Sequence, residues 1–168
     1  MAEPIQEKLK QSLHTSEGLY HRLVLLVGET GSGKTKVLRE FAGEIGTEVI
    51  NINLLLSAEL LALSEKKRVL HLPEILDKIL DAKQATVVID NIEILFDQQL
   101  QQDPLRLLQL MSRNRSVVAA WNGKIEQSRL TYAETGHPEY RQYDGKELLL
   151  VRMNGTATLE GAHKNEVV

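Results

Sequence analysis

Cysteine is absent from the 168 residues, which removes disulfides, thiolate nucleophiles and Cys-ligated zinc and is compatible with a reducing compartment. Aromatic residues are scarce, with one Trp, four Tyr and two Phe, too few and too dispersed for a platform on which bases stack. Glycine and proline, at 11 and 4, fall far short of a collagen-like or low-complexity chain. An excess of either charge is missing too. Lys plus Arg number 20 against 23 Asp plus Glu, a net charge of −3, so a generally basic DNA coat is excluded and any nucleic-acid contact must be local or made through a partner. Long apolar runs are lacking: the stretches at Leu23–Val27 and Thr86–Ile89 are far too short to span a bilayer. The first twenty residues are polar and do not read as a signal peptide. The five His are scattered without metal-ligand spacing. These absences lead to the expectation of a soluble, cytoplasmic protein with no membrane contact.

What is present suits one globular domain, with 42% hydrophobic and 26% charged residues. Ile5, Leu9 and Leu13 recur every four residues after Pro4, which predicts a short amphipathic helix over 4–14. Its apolar stripe covers the protein's own sheet or docks a partner helix. Leu23–Val27 is apolar throughout and stops at glycine, as in a strand buried on both faces of a parallel sheet. Helical spacing follows over Lys34–Ala42, with Gly43 and Gly46 as terminators, and Thr47–Asn53 reads as a second strand. Leu54–Leu63 is helical in composition. The charge run Glu65-Lys66-Lys67-Arg68 reads as a solvated turn before a helix from about Pro73 to Lys83. Thr86–Asp90 is a third strand, Asp103–Arg113 a helix capped by Asp103, and Ser116–Trp121 a fourth strand stopping at an Asn122-Gly123 turn. Asp144-Gly145 and Asn154-Gly155 signal tight hairpins around a fifth strand at Glu147–Met153. From about Gly161 the tail looks frayed.

The chemistry lies in Gly28-Glu29-Thr30-Gly31-Ser32-Gly33-Lys34-Thr35, which fits G-x-x-x-x-G-K-[ST] in full between a buried strand and an amphipathic helix. Glycines let backbone N–H groups turn toward a polyphosphate, and the helix that follows adds unpaired donors and partial positive charge. In this pattern Lys34 reaches the β- and γ-phosphates, the Thr35 hydroxyl ligates Mg²⁺, and residues 28–36, Lys36 included, contact the nucleotide. A hard cation also needs an acid at the tip of a neighbouring strand. Asp90, after Val87-Val88-Ile89, supplies it.

A second carboxylate that accepts the attacking water's proton often follows this Asp directly. Here Asn91 stands there and Glu93 comes two residues later. An amide cannot take a proton at neutral pH, so Glu93 is the candidate general base and hydrolysis is slow if it falls out of reach. Asn122, ending the fourth strand, is the candidate sensor of the γ-phosphate. Arg113, Arg115, Arg129 and Arg141 are candidate arginine fingers, and Tyr20 and His21 candidates to flank an adenine.

The order of these motifs is similar to that of the ASCE or AAA-like division of P-loop ATPases. The resemblance implies an α/β fold, a three-layer α/β/α P-loop NTPase with a mostly parallel five-stranded sheet; the chain is expected to depart from AAA proteins in having no helical lid, and its turn signals add a C-terminal β-hairpin. One domain over 1–168 is expected, divided into an N-terminal helix and linker (1–20), a nucleotide-binding core (21–153), and a hairpin strand with tail (154–168). VVIDNIE further resembles the Asp-Asn Walker B of regulators related to the bacterial replication initiator. With GETGSGKT, IDNIEILFD, the N-terminal helix and the length, the chain resembles the BrxF family of small P-loop proteins in BREX phage-defence systems. That resemblance implies a bacterial ATPase using ATP and Mg²⁺, acting as a homo-oligomer or in a complex with larger defence proteins. The expected activity is a weak ATPase or nucleotide-controlled switch, with its finger supplied in trans. The alternatives are a non-hydrolysing nucleotide-binding adaptor and a small-molecule kinase. The kinase is disfavoured because the second strand ends Asn51-Ile52-Asn53, without an acid, and no Arg-rich lid is visible.

Overall fold

The computed structural model describes residues 4–81, 85–154 and 157–159. In chain order the elements are α1 (Pro4–Ser16), β1 (Leu23–Gly28), α2 (Lys34–Ile45), β2 (Val49–Asn51), α3 (Ile52–Leu60), α4 (Glu65–Ile79), β3 (Thr86–Asp90), two 3-10 turns (Glu93–Phe96 and Gln98–Leu100), α5 (Pro104–Met111), β4 (Ser116–Glu126), β5 (Arg129–Tyr132), β6 (Arg141–Asp144), β7 (Leu149–Arg152) and β8 (Ala157–Leu159).

Successive residues of a strand face opposite ways, and β1 uses both faces. Leu23, Leu25 and Val27 join a core with α3, α4 and α5, while Val24 and Leu26 join a second core with α1 and α2. The result is helix, sheet, helix in three layers. The sheet runs β2-β3-β4-β1-β7-β8, with β5 and β6 attached to β4 off that path. From β2 to β7 every pairing is parallel, so the five-stranded parallel core expected from the sequence is present. The β7–β8 pair is antiparallel and forms the C-terminal hairpin. Leu9 of α1 is fully buried and Ile5 nearly so, so the stripe on α1 covers the protein's own sheet.

Several local expectations are corrected. Glu65-Lys66-Lys67-Arg68 is the first turn of α4, not a solvated turn: the Ser64 side chain caps the helix by accepting from Lys67 N, and Glu65 sits in the positively polarised first turn. Pro73 therefore lies inside α4 rather than at its start. A proline leaves the carbonyl four residues earlier without its helical donor, and the Val69 carbonyl accepts instead from Gln102 Nε2 at 3.2 Å. The end expected for this helix, Lys83, lies outside the described residues. Residues 47–53 shorten to the three of β2, because Asn51 turns its side chain to Leu54 N and caps α3.

Asn122-Gly123 is not a turn. β4 runs straight through it to Glu126, leaving β1 and β3 to pair antiparallel with β5, which pairs in turn with β6. Glycine is required at 123 because β5 passes so close: a Cβ there would lie 1.7 Å from the Thr131 carbonyl oxygen. Asp144-Gly145 makes no hairpin either, since β6 pairs with β5 and β7 with β1. Asp144 instead accepts from Lys146 N at 3.0 Å, a local turn that leads the chain out of β6 toward β7. The expected frayed tail from Gly161 lies outside the described residues.

Candidate functional site

The site is built where parallel strands end together. Gly28 at the end of β1 is in register with Asn122 on β4, and Asn51 at the end of β2 with Asp90 at the end of β3. The carboxyl edge of such a sheet, where loops lead into helices, is where α/β folds place ligands.

Gly33, at φ 98°, caps α2 in the left-handed region that glycine adopts without steric cost. No side chain caps this helix end, so its first N–H groups face the loop as donors. Lys34 is buried, and its Nζ donates to the Gly28 and Glu29 carbonyls at 2.8 and 2.9 Å. Burial lowers the pKa of its ammonium, against the pull of Glu93, Asp90 and Glu29. Thr35 Oγ1 donates to Asp90 Oδ2 at 2.6 Å, and Asn91 N donates to Asp90 Oδ1 at 2.8 Å. Asn91 adopts φ 56°, a left-handed conformation that asparagine tolerates, and its carbonyl accepts from Asn53 N at 3.0 Å. Its backbone thus turns the chain after β3 so that Glu93 opens the following 3-10 turn.

Glu93 and Asn122, far apart in sequence, meet: Asn122 Nδ2 donates to Glu93 Oε2. Burial raises the pKa of the Glu93 carboxyl above its ordinary value, and the negative Asp90 adds to this. Its own backbone N–H, Lys34 and Asn122 oppose the shift. Phe96, closing the same 3-10 turn, stacks on Tyr132 of β5 with ring centroids 3.4 Å apart and meets Trp121 edge-on at 5.3 Å. Trp121 Nε1 donates to the Thr131 carbonyl at 3.0 Å. The antiparallel extension thereby braces the turn that carries Glu93.

Glu29, Thr30, Glu93 and Asn122 line one cleft of about 470 Å³. The same cleft is also lined by residues that the sequence does not single out: Lys124 on β4, Tyr132 on β5, then Glu134 and His137. They were missed because β4 was expected to stop at Trp121. Had the strand been read through, the two-residue spacing of Asn122 and Lys124 would have put both on one face. Glu29 Oε2 lies 3.8 Å from Lys124 Nζ across this cleft.

Other candidates are elsewhere. Arg113 packs over the Tyr20 ring at 4.9 Å, Arg115 pairs with Asp77 at 2.8 Å, Arg141 donates to the Gln102 carbonyl, and Arg129 faces Gln142. None of the four lines the cleft. Tyr20 and His21 precede β1, whose other end carries the loop, and His21 lines a separate depression with Pro73, Asp103 and Arg106. Asn51 is occupied as a helix cap, so no acid stands at the tip of β2. Lys36 is exposed on the first turn of α2.

The oxygens of Thr35 and Asp90 converge within hydrogen-bond distance, a donor set that fits Mg²⁺. Among the described residues no group of three or more His, Cys, Asp or Glu could hold a metal.

Fold and site together define a P-loop nucleoside triphosphatase domain. Residues 24–126 match the family described as ATPase family associated with various cellular activities (AAA), and the chain belongs to that family. It is an AAA nucleotide-binding, ATPase-like domain, and membership implies ATP and usually Mg²⁺. No curated protein matches the chain. Among solved structures it is similar to PCH-2 of C. elegans, at 19% identity and TM-score 0.43 over 70% of this chain and 36% of that one. It is also similar to a katanin structure described for self-assembly, at 20% identity and TM-score 0.40 over 73% of this chain and 44% of that one. The chain thus spans less than half the length of either. Among the described residues no helix is long and apolar enough to cross a membrane.

Proposed function

We propose that the chain binds ATP with Mg²⁺ at residues 28–36 and hydrolyses it slowly, so that the bound nucleotide controls assembly with further copies or larger partners. The observation that carries this reading is the junction of three segments at one sheet edge: Thr35 on Asp90, with the Glu93–Asn122 pair beside them. Lys34 exchanges its two loop carbonyls for the β- and γ-phosphate oxygens, joined by the backbone N–H groups at the start of α2. Thr35 and Asp90 hold Mg²⁺, which when bound neutralises charge on those oxygens. Glu93 takes the proton of the attacking water. Its raised pKa suits it, since a general base works best with a pKa nearer the operating pH. Asn122 orients that carboxylate.

Turnover by the isolated chain is low in this reading because none of the four nominated arginines lines the cleft, and such a residue is worth about 10³–10⁵-fold. Assembly with a second copy or a partner supplies one. The setting proposed is bacterial phage defence of the BREX type, in the cytoplasm, alongside larger defence proteins and with any DNA contact local or indirect. Support for the setting rests on the likeness of GETGSGKT and IDNIEILFD to the small P-loop proteins of those systems. The position of Asn91 favours one second reading, an adaptor that binds nucleotide without hydrolysing it.

The deciding experiment measures MgATP binding by calorimetry and phosphate release in parallel, with and without DNA, while light scattering records mass. Binding with slow release that rises on assembly is expected. Absence of binding overturns the reading, and binding without release under any condition leaves the adaptor.

A further inference from the structure

We propose that Lys124 supplies, from within the same chain, the positive charge that faces the γ-phosphoryl group as it transfers, and that Glu29 holds its ammonium at the mouth of the cleft beforehand. This inference rests on the reading of the site as one for MgATP. Lys124 follows Asn122 by two residues on β4 and lines the same cleft as Asn122, Glu93 and Thr30. Its Nζ lies 3.8 Å from Glu29 Oε2, and Glu29 is the loop residue whose carbonyl also receives Lys34. The side chain therefore already reaches the phosphate loop.

The tether is loose. The two side chains keep 46% and 67% of their exposure, and solvent-exposed pairs of this kind are weak, so exchanging the Glu29 carboxylate for a phosphate oxygen costs little. The backbone is firm by contrast. Lys124 is in register with Thr131 on β5, whose carbonyl is held by the Trp121 indole and passes close above Gly123. A flexible ammonium on a rigid strand is suited to following charge that moves.

In the reaction, water oxygen bonds to the γ-phosphorus as the bond from phosphorus to the bridging oxygen of ADP breaks. The water proton passes to the Glu93 carboxylate, and ADP and inorganic phosphate leave. Negative charge spread over the three equatorial oxygens is met by Lys124, which donates hydrogen bonds and transfers no proton. The charge is supplied in cis and as a point charge, so it supports basal turnover beneath the larger stimulation expected from assembly.

The test uses the full chain and calorimetry with Mg²⁺ and ADP, alone and with aluminium fluoride as the mimic of the transferring group. Wild type is expected to bind ADP more tightly with the fluoride present. Lys124→Ala should shrink that gain on the order of 10- to 100-fold while leaving affinity for ADP alone unchanged, and Lys124→Arg should restore it. In steady state Lys124→Ala should lower kcat with KM held. A gain that persists in Lys124→Ala, or an equal loss for ADP with and without fluoride, overturns the assignment of Lys124 and leaves the nucleotide site standing. Failure of wild type to take up ADP in either form removes both.

Discussion

Lys34 donates to two backbone carbonyls of its own loop, contacts that the proposed nucleotide would replace. Lys34→Ala should weaken MgATP by about 100-fold or more, on the basis of two charge-assisted hydrogen bonds at ~1.5–3 kcal/mol each; calorimetry reads this, with circular dichroism checking that the fold is kept. Glu93 makes two separable predictions. As general base it should be worth about 10²–10⁴-fold in turnover, so Glu93→Gln should lose that activity and retain nucleotide. Its carboxyl pKa is raised by burial, so the folded state holds this proton more tightly than the unfolded chain does. Stability then falls as pH rises from the unfolded pKa through the folded one. Glu93→Gln, which cannot ionise, should therefore melt above wild type at pH 7, and the gap should close at pH 4; a gap independent of pH would contradict the burial. At this scale the sequence was informative about single residues with strong chemistry. It was uninformative about Lys124, whose meaning depends on which loop it reaches.

Among elements, β4 is the decisive one. Its first half lies between β1 and β3 and brings Asn122 to the sheet edge, and its second half pairs with β5 and adds Lys124 to the lining of the cleft. Gly123→Ala places a methyl against the Thr131 carbonyl, so strand and partner must separate. Overpacking of this kind costs about 1–3 kcal/mol, or roughly 2–4 °C in Tm per kcal/mol for a domain of this size. Trp121, the one tryptophan of the chain, bonds the same carbonyl, so its fluorescence should shift with the loss. Ser64→Ala should cost about 1 kcal/mol as a helix cap, measured by thermal melting, whereas a solvated turn at 65–68 would leave Tm unmoved. Asn122-Gly123 misled because a dipeptide typical of turns was placed in a strand by a neighbour, β5, that local sequence does not reveal. The charge run at 65–68 misled for the opposite reason: polarity reports solvent on one side and is silent about helix or turn.

For the molecule as a whole, ligand and fold are linked through α2, β3 and β4, which meet at the site from both layers of the core. Nucleotide at 100 times its Kd should add about 2.7 kcal/mol to stability, seen as a rise of roughly 5–10 °C in Tm. Lys34→Ala should abolish the rise. Two of the four candidate arginines are engaged within the fold, Arg115 with Asp77 and Arg141 with the Gln102 carbonyl. Any arginine supplied in trans then makes turnover per chain increase with protein concentration, which a dilution series of phosphate release checks.

The parallel core, the glycine-rich loop at 28–35 and the carboxylate ending β3 at 90 are legible in local sequence, because buried strands, glycine-rich turns and a strand-terminal acid each leave a short-range pattern. That Glu93 meets Asn122, that Lys124 lies beside Glu29, and that the candidate arginines stand outside the cleft emerge only from the folded chain. Those pairings join residues separated by long stretches of chain, and their geometry follows from strand register and from the approach of β5 to Gly123, which no local periodicity encodes.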